Sequence, residues 1–180
     1  MLDEKSGRKL LLEQGACPEV MAHSEAVLKS CLKTVSKIKK TNPSLKINLT
    51  LVKAGALLHD IGRAKSHGID HGIVGAEIMR SMKNGGPDDV NFVKIARICE
   101  RHLGAGISEQ EAEKMGLPPG RYVPKTIEEK IIAYSDNLVD DDTLMDASWA
   151  QVDFEKKHGK RSEPAKRVRE LNKFFSGLMA

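Results

Sequence analysis

Apolar residues recur three or four positions apart along almost the whole chain, the period of a helix that buries one face. Alternation at every second residue, the mark of a half-buried strand, is confined to the short Lys46-Ile47-Asn48-Leu49. The pattern predicts an all-α fold. A short helix over residues 4–14 stops before Gly15, and Pro18 suits the first turn of a long helix reaching Lys40, where Asn42-Pro43-Ser44 breaks it. Asn48 to Thr50 can cap a third helix through the apolar run Leu51 to Leu58, and Gly62 supplies the backbone freedom that ends it. Asp70 is placed to cap a fourth, from His71 through Ile78 and Met82 to Gly85-Gly86. Pro87 opens a fifth, with Phe92, Ile95, Ala96 and Cys99 on its buried side and its end near His102.

Ser108-Glu109-Gln110-Glu111 and Thr126-Ile127-Glu128-Glu129 both have the form of a capping box. The first starts a short helix that stops at Gly116; the second starts one bearing Ile131, Ile132, Tyr134 and Asp136. A weaker helix from Trp149 to Lys157 and a basic amphipathic one from Ser162 to Leu178 complete the chain. The stretch from Gly104 to Lys125 is the expected flap over a site.

A length of 180 residues fits a single domain able to bury a core without staples. The three cysteines, Cys17, Cys31 and Cys99, show no Cys-x-x-Cys spacing, which argues against a disulfide framework or zinc knuckle and suits a reducing cytoplasm. An acidic start, Met1-Leu2-Asp3-Glu4-Lys5, and the lack of a spanning apolar run lead to the expectation of a soluble, cytoplasmic protein. The net charge of +4 permits anionic substrates without demanding nucleic acid, and Lys33, Lys37 and Lys40 form one solvated helical stripe.

Chemistry is concentrated in His23, the adjacent pair His59 and Asp60, His71, His102 and Asp136. Imidazole with carboxylate suits borderline and hard divalent ions, whereas a soft site calls for thiolates. Each histidine alone has a bland explanation; their ordered set points to a metal site. His67, in a flexible Ser66-His67-Gly68 loop, is an alternative to His71 as ligand. His158 is assigned to a helix end, Asp140-Asp141-Asp142 to a solvated acidic run with Asp142 capping the next element, and Tyr134 and Trp149 to core packing.

The order histidine, His-Asp dyad, distal aspartate (His23, His59-Asp60, Asp136) resembles the HD superfamily of metal-dependent phosphohydrolases, and His59-Asp60-Ile61-Gly62-Arg63 matches its His-Asp-Ile-Gly version. The resemblance covers residues 19–140, leaving a helical extension over 146–178. It implies a helical bundle in which His23, His59, Asp60 and Asp136 hold one ion, Asp60 bridges, and His71 with His102 hold a second. The ions could be iron, manganese, nickel, cobalt or zinc. A bridging hydroxide would then attack a phosphoester or phosphoanhydride of a nucleotide or related small anion. Arg63, where relatives often carry lysine, and Arg101 are expected to orient the phosphate. Two other readings stay open: a di-iron oxygenase, and a silent nucleotide-binding sensor. The oligomeric state is open as well.

Overall fold

The computed structural model describes residues 2–82 and 89–180, and its architecture is all-helical apart from one minute hairpin. Helix α1 spans Glu4–Glu13, α2 Pro18–Thr41 and α3 Leu49–Leu58, followed by a 3-10 turn at Ile61–Ala64. Next come α4 (His71–Ser81), α5 (Asp89–Arg101), α6 (Glu109–Lys114) and α7 (Ile127–Asp136). Strands β1 (Val139–Asp140) and β2 (Thr143–Leu144) pair antiparallel before α8 (Ala147–His158) and α9 (Glu163–Met179). The expected helix end at Gly85-Gly86 and the start at Pro87 lie outside the described residues.

Helix α3 is the axis of the bundle. It is apolar apart from Thr50 and Lys53, and Leu51, Val52 and Ala54 to Leu58 are all buried beneath α1, α2, α5 and α7. Around it, α2 turns inward a stripe at helical spacing: Val20, Ser24, Val27, Cys31, Val35 and Ile38. Fully burying one such aliphatic side chain is worth about 1.5–3 kcal/mol, so this seam is a principal source of stability. The C-terminal helix α9 closes the bundle with Val168, Leu171 and Phe175, whose ring stacks on Tyr134 at 4.3 Å.

Three caps form as the sequence suggests. Asn48 accepts from the Leu51 amide, and Ser108 and Thr126 both form reciprocal boxes. Two do not. Asp70 makes no cap bond, because its carboxylate instead accepts from the Ser66 hydroxyl at 2.6 Å; Asp142 lies in the hairpin turn, and Asp146 caps α8. Lys46 to Ile47 form no strand, and Leu49 already belongs to α3.

Gly62 also acts differently from expectation. Its backbone does not adopt a left-handed conformation; it is a contact point, where an added Cβ would lie 1.9 Å from the His71 carbonyl oxygen and 2.5 Å from the Gly75 amide. The dyad therefore sits at and just beyond the end of α3, pressed against the start of α4. No helix among the described residues is long and apolar enough to cross a membrane.

Candidate metal centre

Helix ends deliver five of the six side chains. His59 caps the C-terminus of α3, Asp60 follows it, His71 opens α4, His102 comes one residue after α5, and Asp136 is the last residue of α7. His23 alone projects from within a helix, α2. Three helices thus aim their C-terminal carbonyl ends at one place, and the partial negative charge there favours a cation.

Asp60 divides the site into two halves. Its Oδ1 lies 3.0 Å from His71 Nε2 and 3.3 Å from His102 Nε2, while its Oδ2 lies 4.0 Å from both His23 Nε2 and His59 Nε2. Asp136 Oδ1 completes the second group, 3.0 Å from His23 and 3.5 Å from His59. Ligand atoms of His23, His59 and Asp60, of Asp60, His71 and His102, and of His59, His102 and Asp136 each fall within 4.8 Å of one another.

The opposite ring nitrogens are all engaged. Nδ1 of His59, His71 and His102 each donates at 2.7 Å to a carbonyl three residues earlier, of Ala56, Gly68 and Cys99. Such bonds fix the tautomer and leave Nε2 as a lone pair aimed at the centre. The Nε2 atoms of His71 and His102 then face each other at 3.2 Å, and His59 Nε2 and Asp60 Oδ1 are buried without a hydrogen bond. Acceptors crowded together, two of them orphaned, are unfavourable unless a cation lies between them. The donor set fits divalent metal.

His23 differs, because its Nδ1 donates at 2.7 Å to the Asp141 carbonyl, 118 residues away. Asp141 occupies the left-handed region at φ 53°, in the tight turn of the β1–β2 hairpin. A residue remote in sequence therefore orients this ligand. Asp141→Gly, which adopts that conformation freely, should keep the metal content of the parent; Asp141→Pro, locked near φ −65°, should swing the carbonyl away and lower it. Elemental analysis checks this, and full occupancy in the proline variant would contradict it.

Burial opposes charge on His23, but Asp136, the Asp141 carbonyl and Asp60 outweigh it and raise its pKa to about 9. Burial likewise disfavours charge on His59, yet Asp60 and Asp136 lift it above its ordinary value; His102 is lowered, by burial first and by His59 after it. Both aspartates are held below the usual carboxylate range by the surrounding histidines, against the effect of burial. An imidazole must be neutral to bind a metal, so below about pH 9 an ion held by His23 would have to displace its proton. Affinity in that half should therefore rise with pH, by up to about tenfold per unit up to His23's pKa, with proton release on binding. Calorimetry in buffers of differing ionisation enthalpy measures it; a flat profile with no release would refute it.

Two cavities open onto the centre, and His23, Asp60 and Arg63 line both. The larger, 860 Å³, runs past Cys17 to Val20, His67, Asp141 and Asp142; the smaller, 220 Å³, runs past Asn137, Asp140 and α8. His67 is exposed and lines the larger cavity, while His71 sits in the cluster. Arg63 bonds Asp60 Oδ2 through Nε at 2.6 Å with its side chain one-third exposed. Arg101, expected beside it, is turned away: its Nη1 holds both oxygens of buried Glu129 at 3.0 Å, and it lines neither cavity. The expected flap from Gly104 to Lys125 also lines neither. It carries its own small core of Ile107, Ala112, Leu117 and Tyr122, and Arg167 pins it through the Gly106 carbonyl and Glu111.

A profile of the HD domain family matches residues 20–140. The chain belongs to the HD domain family. Among relatives of this HD protein, MJ0778 of Methanocaldococcus jannaschii, an uncharacterized protein, is 40% identical over 173 residues, 96% of this chain and 97% of its own length. A tRNA (cytidine(56)-2'-O)-methyltransferase of Thermoplasma volcanium is 41% identical over 98% of this chain, and one of Picrophilus torridus 40% over 98%. The HD protein spans about half the length of these two, 48% and 47%. The HD domain of the L. monocytogenes phosphodiesterase PgpH superposes with a TM-score of 0.49 at 20% identity, covering 97% of this chain and 99% of that one.

Proposed function

We propose that this chain is a metal-dependent phosphohydrolase acting on a phosphoester or phosphoanhydride of a nucleotide or related small anion, with two divalent ions bound. The reading is carried by Asp60, whose two oxygens face separate histidine sets across one buried carboxylate. When bound, such an ion pair supplies an activated water as nucleophile and neutralises phosphoryl charge. In this assignment His23, His59, Asp60 and Asp136 hold one ion, and Asp60, His71 and His102 the other.

Arg63 is the guanidinium bordering both cavities, suited to gripping phosphate oxygens bidentately. It stays protonated at neutral pH, so it orients substrate and does not protonate the leaving oxygen. His67, exposed on the larger cavity, is the side chain we assign to that step, directly or through water. The methyl transfer in the names of two relatives does not carry over, since each extends well beyond the aligned half and the present site is built for metal and proton chemistry.

A panel of phosphomonoesters and phosphodiesters with manganese, nickel, cobalt, iron or zinc, run in air and under nitrogen, tests the reading. Hydrolysis, read as phosphate from the monoesters and as monoester plus alcohol from the diesters, is expected to need metal and to be unaffected by oxygen. Oxygen consumption coupled to turnover would favour an oxygenase, and tight nucleotide binding with no turnover would favour a sensor.

A further inference from the structure

Helix α8 lies beyond the matched HD region, yet it forms a wall of the smaller cavity with Trp149, Ala150, Asp153, Phe154 and Lys157. Trp149 is only partly buried, and its indole N–H makes no hydrogen bond among the described residues. Core packing, the role its helical spacing suggests, describes just one side of it; the other borders the same cavity as His23, Asp60, Arg63 and Asp136. Phe154 lines the same cavity, its ring stacked on His158 and so close to Gly104 that an added Cβ there would lie 2.7 Å away. The larger cavity has no aromatic besides histidine.

We propose that this α8 pocket is a nucleobase subsite, in which a heterocycle stacks on Trp149 while its phosphate lies at the metal centre and Arg63. The inference rests on the phosphohydrolase reading and adds the part of the substrate that α8 recognises. Three features select a base over an aliphatic or plain aryl group. An aromatic face offers stacking, the carboxylates of Asp140 and Asp153 offer acceptors for ring amino groups, and a volume of 220 Å³ has room for one ring system. Lys157 pairs with Asp153 at 2.6 Å and adds a cation at the rim.

Trp149 is the sole tryptophan, so emission from the intact chain reports on this pocket alone. Manganese-loaded protein is titrated with non-hydrolysable phosphonate analogues of nucleoside 5′-monophosphates, and with ribose 5-phosphate, which has the phosphate and sugar but no base. Saturable quenching is expected from the nucleotides and not from ribose 5-phosphate. Followed by titration calorimetry, since these variants lack the tryptophan, Trp149→Leu should weaken nucleotide binding by about 5- to 150-fold, as loss of one stacked base does, with ribose 5-phosphate affinity unchanged and Trp149→Phe largely restoring the nucleotide. A trinucleotide arm separates the two sources of a base: tighter quenching assigns the subsite to a strand end, equal or weaker quenching to free nucleotides. Absence of quenching, or equal losses for both ligands in Trp149→Leu, overturns the proposal. Turnover without quenching rejects the subsite and leaves the hydrolase, whereas quenching without turnover supports the subsite and rejects the hydrolase.

Discussion

Replacing Asp60 with alanine is expected to remove both ions together and to lower turnover by at least about a thousandfold, a loss of about 4 kcal/mol of transition-state stabilisation. Both halves of the centre share this carboxylate, and it is 3% exposed, so water cannot readily take its place. His71→Ala should instead leave the His23 half partly filled, with about one ion per chain. The metal-free Asp60→Ala protein should unfold sooner than the metal-free parent, because the surrounding histidines and Arg63 favour the folded-state carboxylate. The rise in Tm on adding metal should vanish as well. Native mass spectrometry and thermal unfolding with and without manganese measure both effects; an Asp60→Ala protein holding two ions would end the bridging assignment.

The largest loss of stability is expected from Gly62→Ala, at least about 3 kcal/mol, because the new methyl would meet backbone. A separation of 1.9 Å from the His71 carbonyl cannot be relieved by turning a side chain; the start of α4 must move, and His71 with it. Gly55→Ala makes a useful contrast. There the Cβ would approach Ile132 Cδ1 and Ile98 Cδ1 at 2.7 Å, both tips of flexible side chains, and a cost of about 1–3 kcal/mol is expected. Urea unfolding ranks the two, and metal analysis of Gly62→Ala should show the His71 half emptied first. Equal costs would mean that the α3–α4 junction yields more easily than its geometry implies.

The candidate cluster was legible because imidazole and carboxylate carry the chemistry that a divalent cation needs, and the structure brings the four histidines and two aspartates singled out in the sequence to one place. The all-helical architecture was legible for a similar reason, since apolar spacing along α2, α5 and α7 survives as buried faces. The β1–β2 hairpin was not. Its strands are two residues each, and its turn runs through acids without the glycine or asparagine that usually marks a hairpin. Backbone carbonyls that orient the histidines leave no trace in side-chain identity, so Asp141 looked like one of three solvated acids. Gly62 and Arg101 misled in the same manner. A glycine needed for close approach looks like one needed for a turn, and the arginine's partner Glu129 is 28 residues away.

The contrast between the three locally held histidines and His23 bears on how the protein is made. Residues 60–102 contain Asp60, His71 and His102 together with the Gly68 and Cys99 carbonyls that steady those two rings. A chain emerging from the ribosome presents that half well before the stretch through Asp141 has been translated, whereas His23, emitted early, waits for its acceptor until the hairpin appears. With two ions held as proposed, this order of synthesis would make the His71–His102 side the first able to capture an ion and the His23 side the last to be completed.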